Sequence, residues 1–501
     1  MSLYDKASLI QVPSLYKDGT LVSTIPEDRS GDFTVVRGSN LSATRIGPDG
    51  YIKKGYENLL LQSNSFDTWV KKRVFVTSGQ SGYDGSSDAW LLENNLETGQ
   101  AYLRKPQNLS GVKTFSIYAK HGTASHLRLN EISTGASVFF DLINGVISEE
   151  EDNVSSYIES IGNDWYRCSS VISSSSTGEF RVQISQGGSG STSIGDNIYI
   201  QDAQLNQGLV AYPYLETTTA PAQGGLLENT PRLDWSNGVP ALLLEPSRTN
   251  VLPYSEYFQT WFTSATLTSN YGISPEGVRN STRVNYSGVN QYLAIGFQGV
   301  AGTGSIYVKG ISGETITIGA GNAAGGSLHT LNGDWQRVSF YDDGTSAYFT
   351  INTYFGTARD IEVFGAQVEQ NATYETSYIP TYGTSQTRSN EVISDDFNIP
   401  TTATIYNSFY SDVAETVFVF DQVFNVVEGL NKVAIAFSPT AVKISVGGSI
   451  VANATGTYDT TSLTNIQLGS NNGTDYSNAP ISGFYTFPEF LTDEELNSLT
   501  D

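Results

Sequence analysis

The sequence predicts an all-β protein of tandem β-sandwich (jelly-roll) domains, two of them an internal duplication, with a short C-terminal helix. Three observations predict this fold class: the composition, a repeat of four sequence blocks, and the alternation of apolar residues within those blocks. Of 501 residues, 29 are Tyr and 49 are Gly, whereas Met and Cys occur once each. Tyr, Thr and Val favour half-buried strands, while Gly, Asn and Ser favour turns. At roughly 100–200 residues per domain, the length predicts about three or four domains.

The duplication begins with NLLLQSNSFDTW (residues 58–69) and NVLPYSEYFQTW (residues 250–261), which are identical at six positions without a gap. Three further pairs follow in the same order: FSIYAKHG with GSIYVKG, NDWYRCSS with GDWQRVSF, and DAQLNQG with GAQVEQN. A duplicated active site would repeat His, Asp, Glu or Cys, but these blocks mainly repeat aromatic and apolar residues. We therefore expect the four repeated tryptophans to belong to two equivalent cores. They are Trp69, Trp165, Trp261 and Trp335.

Each repeat block reads as a strand with one buried face, because apolar and polar residues alternate in TFSIYAK, EFRVQIS and DIEVFGAQV. We place an N-terminal segment at 1–56, the first copy at 57–216, a linker at 217–244, the second copy at 245–385 and a C-terminal β unit at 386–501. In the linker, DWSNG predicts a hairpin with an Asn-Gly turn. Near the end, Thr492 and Glu495 have the spacing of a capping box, which predicts the short helix.

The charge and the amino-terminal sequence restrict the classes of partner. A net charge of −24 argues against nucleic acid and anionic membranes, both of which need clustered Lys and Arg. No run of ~18 apolar residues predicts a membrane helix. The first residues lack a basic start followed by an apolar run, so we expect synthesis in a bacterial cytoplasm without a secretion signal. The single cysteine, Cys168, excludes an intrachain disulfide, and we expect it to be buried.

Several of these stretches resemble structural proteins of tailed bacteriophages. PRLDWSNGVPALLLEPSRTNVLPYSEYFQTW (residues 231–261) resembles a linker-and-sandwich module of tail fibres and head fibres, and GDFTVVRGSNLSATRIGPDGYI (residues 31–52) resembles the N-terminal region of such proteins. The paired sandwiches resemble carbohydrate-binding modules. NKVAIAFSPTAVKISVGG (residues 431–448) resembles a concanavalin-like or laminin-G-like sandwich, for which the C-terminal unit is short unless it shares a sheet with a neighbour.

The resemblance implies a non-enzymatic virion protein: an oligomeric fibre or appendage, trimeric in many such proteins, that attaches to host-surface glycans. The segment 1–56 would then dock to other virion proteins. A capsid decoration or head-fibre protein is the nearest alternative. A polysaccharide-degrading tail spike is an alternative of another class, although no β-helix or charged cleft is predicted, and a bacterial adhesin is disfavoured by the missing secretion signal.

The candidate site residues follow from ligand chemistry. Glycan stacking needs an exposed aromatic ring beside polar groups, and the candidates are Tyr83, Trp90, Tyr271 and Tyr292. Calcium prefers oxygen ligands, and two polar loops supply them through Asp84, Asp88, Asn472 and Asp475. No catalytic residue is predicted, since the three histidines and the acidic run SEEEDN indicate surface positions, and no cofactor besides calcium is expected.

Overall fold

The computed structural model describes the whole chain except residues 1, 18, 39–40, 98, 109, 189, 298–300, 322–324, 347, 413, 462–465 and 470–478. Its described residues form antiparallel sheets and two short α-helices, so the predicted all-β class is confirmed. None of the described helices is long and apolar enough to cross a membrane.

The elements are numbered in chain order. The N-terminal segment contains α1 (Leu3–Lys6), β1 (Leu9–Gln11), β2 (Tyr16–Lys17), β3 (Thr20–Leu21), β4 (Phe33–Val36), β5 (Thr44–Ile46) and β6 (Ile52–Asn58). The first copy contains the 3₁₀ turn Phe66–Thr68, β7 (Val70–Lys72), β8 (Val74–Gln80), β9 (Ala89–Asn94), β10 (Ala101–Asn108), β11 (Gly111–His121), β12 (His126–Glu131), β13 (Ser137–Asp141), β14 (Val146–Glu151), β15 (Ser155–Gly162), β16 (Trp165–Ser174), β17 (Thr177–Ser185) and β18 (Asn197–Gln207). The linker contains β19 (Ala222–Gly225), β20 (Leu233–Asp234) and β21 (Ala241–Leu242).

The second copy contains β22 (Arg248–Asn250), the 3₁₀ turn Phe258–Thr260, β23 (Phe262–Thr263), β24 (Thr266–Thr268), β25 (Thr282–Asn285), β26 (Tyr292–Gly296), β27 (Gly302–Gly310), β28 (Thr315–Gly321), β29 (Ser327–Thr330), β30 (Gln336–Asp342), β31 (Tyr348–Asn352) and β32 (Asp360–Gln370). The remainder contains β33 (Gln386–Arg388), β34 (Val392–Asp395), β35 (Ala403–Ser411), β36 (Glu415–Val419), β37 (Gln422–Val426), β38 (Gly429–Ser438), β39 (Ala441–Val446), β40 (Ser449–Thr455), β41 (Ile466–Gln467), β42 (Ile481–Phe487) and α2 (Asp493–Thr500).

The first copy is a sandwich of two six-stranded sheets, ordered β14-β13-β12-β17-β10-β7 and β15-β16-β11-β18-β9-β8. Their inward side chains form one core, in which Phe115 of one sheet stacks on Phe180 of the other with ring centroids 4.5 Å apart. Trp69 and Cys168 are buried in the same core. Alternation along each strand therefore places the apolar residues inside, as the period of two requires.

The second copy is a sandwich built on the same plan. A sheet containing β24-β25-β32-β22-β33, with β27 also paired to β32, faces the five-stranded sheet β23-β26-β31-β28-β29. Its core contains Phe258, Trp261 and Phe349. Of the four repeated tryptophans, only Trp69 and Trp261 lie in the two sandwich cores, so the expectation is wrong for the other two. Trp165 is buried in a separate cluster with Tyr118, and Trp335 is half-buried, with its indole N–H donating to the carbonyl of Ile273.

Hydrogen bonds reproduce the duplication residue by residue. The fully buried Asn58 donates to the carbonyls of Ala203 and Leu215 and accepts from the amides of Leu60 and Leu205. Asn250 makes the same four bonds in the second copy, where the backbone partners are residues 366, 379, 252 and 368. These repeated asparagines tie the first strand of each copy to the last, so the duplicated blocks encode duplicated structure.

The third unit is completed by strands from the opposite end of the chain. Strand β1 pairs with β42, so that Leu9 lies opposite Thr486, and β4 pairs with β34. The linker strands β20 and β21 join the same large sheet as β42. The C-terminal unit thus shares its sheets with both the N-terminal segment and the linker. At its end α2 begins with the predicted capping box of Thr492 and Glu495.

A buried ionic network connects the linker with the second copy and the third unit. The guanidinium of Arg232 donates two hydrogen bonds to Glu391, at 2.6 and 2.8 Å, and one to Glu245, at 2.7 Å. Burial alone would raise the pKa of Glu245, but Arg388 and Arg232 lower it to about 2. Removing any one charge would leave its partners buried with incomplete compensation, which is costly.

Candidate functional site

Tyr83 lies in the loop between β8 and β9 and is packed inward. Its ring stacks on Tyr118 at a centroid distance of 3.9 Å and meets Trp165 edge-on at 6.3 Å. Its hydroxyl donates to Asp202 at 3.0 Å. Burial, reinforced by the nearby Asp88, raises the pKa of Asp202 to about 7. These contacts hold the loop between β8 and β9 against the sandwich, and only part of the Tyr83 ring is exposed to solvent.

Asp84 and Asp88 are held together by protein donors. The Ser86 hydroxyl donates to both carboxylates, and Gln201 Nε2 lies 2.7 Å from Asp88 and 3.3 Å from Asp84. The hydrogen bond from Ser86 lowers the pKa of Asp84. Over the part of the chain that the structure describes, three or more His, Cys, Asp or Glu side chains nowhere form a group that could hold a metal. Asn472 and Asp475 lie outside the described residues, so calcium at either loop stays a prediction.

The other aromatic candidates differ in exposure. Trp90 is half-buried, with its indole N–H donating to the carbonyl of Asn64 and its ring edge-on to Phe66. Tyr271 is 42% exposed and lies beneath the guanidinium of Arg283, 5.1 Å from the ring centroid. Tyr292 is half-buried on β26. Tyr271 best meets the requirement of an open ring beside polar groups.

Sequence reasoning did not predict the cleft between the second copy and the third unit. It has a volume of about 900 Å³ and is bounded by the β5–β6 hairpin, the linker hairpin and the ends of β27, β30 and β35. Three tyrosines line it: Tyr307, Tyr374 and Tyr378. The first two each have a guanidinium over the ring, at about 5.5 and 5.4 Å from the centroid. Carboxylates and amides surround them. These side chains are Asp234, Asn237, Glu375, Asp412 and Glu415.

The floor of this cleft is rigid. Arg337 donates to the carbonyl of Thr376 at 2.7 Å and to the hydroxyl of Ser305 at 2.9 Å. Asp234 accepts from the amide of Ile46 at 2.7 Å, which fixes the linker against the N-terminal hairpin. Aromatic rings flanked by fixed hydrogen-bonding groups can stack against the apolar face of a sugar and bind its hydroxyls. No single stretch of sequence carries this cleft, because its walls come from segments up to several hundred residues apart.

A second surface lies on the outward side of the first copy, on the sheet ordered β14-β13-β12-β17-β10-β7. We call it the arginine face and define it by Lys72, Tyr102, Arg104, Arg128, Phe139, Arg181 and Gln183. Strand register places Lys72, Tyr102, Gln183, Arg128 and Phe139 in one row across five strands. Arg104 lies opposite Arg181 in the next row.

Two arginines of this face are stacked on aromatic rings. The guanidinium of Arg181 lies 4.5 Å from the Tyr102 centroid, and that of Arg128 lies 4.8 Å from Phe139. Arg181 and Arg104 both bind the carboxylate of Glu179. The stacking restrains the guanidinium groups without neutralising them.

No family model matches this sequence, and a search of curated proteins likewise gives no match.

Proposed function

We propose that this protein is a non-enzymatic structural protein of a tailed-bacteriophage virion, an oligomeric fibre or appendage that attaches to host-surface glycans. Capsid decoration is the nearest alternative role. The stretch at residues 231–261, which resembles the linker-and-sandwich module of such proteins, carries the assignment to this class. Attachment is assigned to the cleft between the second copy and the third unit.

The residues of that stretch join neighbouring parts of the protein. Arg232 and Glu245 belong to the buried network between linker, second copy and third unit, while Asn250 closes the second sandwich. Lys54 of β6 lies between the carboxylates of Glu256 and Glu276, at 2.8 and 2.9 Å, and so joins the N-terminal segment to the second copy. Such joints keep a binding surface at a fixed orientation to the rest of the particle.

The cleft is the observation that supports glycan attachment. Its volume of about 900 Å³ suits an oligosaccharide of a few units, and its position at a junction between domains is typical of ligand sites. Tyr374 supplies a half-buried ring, and the carboxylates and amides beside it match the hydroxyls of a sugar. A cleft of this chemistry favours reversible binding through many weak contacts.

Binding is tested on an immobilised panel of bacterial surface polysaccharides with the intact chain. Replacing Tyr374→Ala should weaken binding on the order of tenfold, because one stacked ring contributes about 1–2 kcal/mol. Tyr341→Ala, which removes a 55% exposed tyrosine away from the cleft, should leave binding unchanged. Equal loss in both variants, or no binding at all, would contradict the assignment. Release of reducing ends would instead support the polysaccharide-degrading alternative.

Assembly is tested separately by light scattering. A trimer would have three times the chain mass of 54.2 kDa. A monomer at micromolar concentration would show that assembly needs other virion proteins, which favours the decoration-protein alternative. Repeating the measurement with millimolar calcium tests the predicted calcium loops.

A further inference from the structure

We propose that the arginine face of the first copy is a second binding site, specific for an anionic polysaccharide that carries carboxylate or sulfate groups. The proposal rests on the proposed attachment function and adds to it a separate site and a class of ligand. It is carried by the row of aligned side chains, by their charge, and by a comparison that the duplication itself provides.

The charge of this face stands out against the rest of the chain. The protein has a net charge of −24, yet Arg104 and Arg181 lie together around one carboxylate, that of Glu179. Lys72 also lies over the ring of Tyr102, 5.6 Å from its centroid. At this end of the face two guanidinium groups share the single carboxylate of Glu179, so one anionic group of a ligand would be attracted.

The same positions in the second copy are uncharged. Val70 and Phe262 each follow the repeated tryptophan, and they lie opposite Arg104 and Ala294 respectively. Continuing across the sheet, Arg104 lies opposite Arg181, whereas Ala294 lies opposite Thr350. In the adjacent row, Arg128 lies two strands away from Tyr102 in the first copy. Thr317 lies two strands away from Tyr292, the equivalent tyrosine of the second copy. Thr317 is therefore the counterpart of Arg128.

This comparison separates the requirements of the fold from those of a ligand. Two sandwiches with equivalent cores fold with and without the arginines, so the arginines are not needed to build the sheet. Stacked guanidinium groups keep their forked donors in place, which suits two-point recognition of a carboxylate or sulfate.

The choice of a glycan over other polyanions rests on the proposed attachment function, because the neutral polar side chains of the face, Gln183 and Asn130, are buried beside the arginines. Gln183 lies between Tyr102 and Arg128 and is fully buried, with Nε2 donating to the carbonyl of Gly190 at 2.7 Å. Its Oε1 has no hydrogen-bond partner among the described residues. Asn130 lies beside Arg181. The rings of Tyr102 and Phe139 are only 4% and 7% exposed, so they are closed to nucleic-acid bases, which bind such surfaces by stacking.

The experiment compares alginate, a carboxylated polysaccharide, with dextran, a neutral one, and with polyglutamate, a carboxylated polymer without sugars. Binding to the full chain is measured by biolayer interferometry at low and high salt. We expect alginate to bind, dextran not to bind at this face, and Arg104→Gln/Arg181→Gln to weaken alginate binding on the order of a hundredfold. Binding should also lose its salt dependence in this double variant.

Two further variants keep the outcome interpretable. Arg128→Gln alters the face without touching Glu179 and should weaken alginate binding on the order of tenfold. Arg29→Gln in the N-terminal segment is the matched control, since Arg29 also pairs with a carboxylate, that of Asp32 at 2.8 Å, but away from the face. Circular dichroism and melting verify that each variant is folded.

The outcomes distinguish this proposal from the general attachment function. If alginate binding persists in both face variants, the face is not the site, although glycan attachment stands. If polyglutamate competes as well as alginate, the face attracts any polyanion and the glycan assignment is overturned. If the cleft variant Tyr374→Ala abolishes alginate binding while the face variants do not, the cleft alone binds glycan.

Discussion

The repeated asparagines provide a paired test of the duplicated cores. Asn58→Ala and Asn250→Ala each remove a fully buried carboxamide that makes four hydrogen bonds to backbone groups. Truncation leaves two carbonyls and two amides unpartnered. At about 1 kcal/mol for each lost bond, we expect either variant to lower the free energy of unfolding of its own sandwich by about 4 kcal/mol.

The single thiol makes the assay specific for one copy. Cys168 is fully buried in the first core, and burial raises the pKa of its thiol well above the ordinary value. A thiol reagent therefore reacts only when the first sandwich opens. Asn58→Ala should accelerate labelling in mild urea by about a thousandfold, since each 1.4 kcal/mol corresponds to a factor of ten.

The second copy supplies the control. Asn250→Ala should leave Cys168 labelling unchanged while shifting the urea transition seen by tryptophan fluorescence. Asn237→Ala, at an exposed turn, should alter neither measurement. Equal acceleration in both asparagine variants would refute the reasoning, because it would mean that the two cores open as one cooperative unit.

Three further predictions concern charge and capping. Arg232→Met removes the cation shared by two buried glutamates, leaving only Arg388 beside Glu245 and Arg37 beside Glu391. It should lower stability by about 3 kcal/mol in urea denaturation, unlike Arg29→Met at an exposed pair; equal midpoints would contradict the network's role. Burial raises the pKa of Asp202 to about 7 from 3.8, so its contribution favours the folded state below pH 4 and is lost as pH rises through 7, at most roughly 4 kcal/mol. Asp202→Asn should remove this pH dependence, whereas the exposed Asp164→Asn, also at a residue of positive φ, should keep it. Thr492→Ala removes the capping box and should cost about 1 kcal/mol, seen as a lower melting temperature; an unchanged melt would mean that α2 is held by packing alone.

The fold class and the duplication are predictable because their causes are local. Alternation of apolar residues specifies a buried face within seven or so residues, and the repeated blocks preserve the residues that meet in each core. One aligned pair of residues also shares an unusual backbone conformation. Asp202 corresponds to Gly365, and both have positive φ, at 52° and 62°, where β18 and β32 are irregular. The alignment of an aspartate with a glycine therefore indicates positive φ at this position from the sequence alone.

The completion of the third unit is not predictable in this way. The pairing of β1 with β42 depends on the complementarity of two short strands, and the sequence of either strand alone does not identify its partner. The exposure of the candidate site residues is hard to predict for a related reason, because it depends on distant contacts. Tyr83 lies in a polar, glycine-rich stretch that predicts exposure, but Asp202 and Tyr118 draw its ring inward. The cleft and the arginine face are formed by distant strands, so only register reveals them.

The joining of the two chain ends has a consequence for how the protein is made. Ser8 bonds to Thr486 across a separation of 478 residues, which a ribosome spans in about 25–95 seconds at roughly 5–20 residues per second. Throughout that interval both duplicated sandwiches can fold, while β1 and β4 still lack the strands β42 and β34 with which they pair. A nascent chain in this state offers strand edges to its neighbours on the same polysome. Correct production therefore depends on the sandwiches folding first and on the earliest strands being used last.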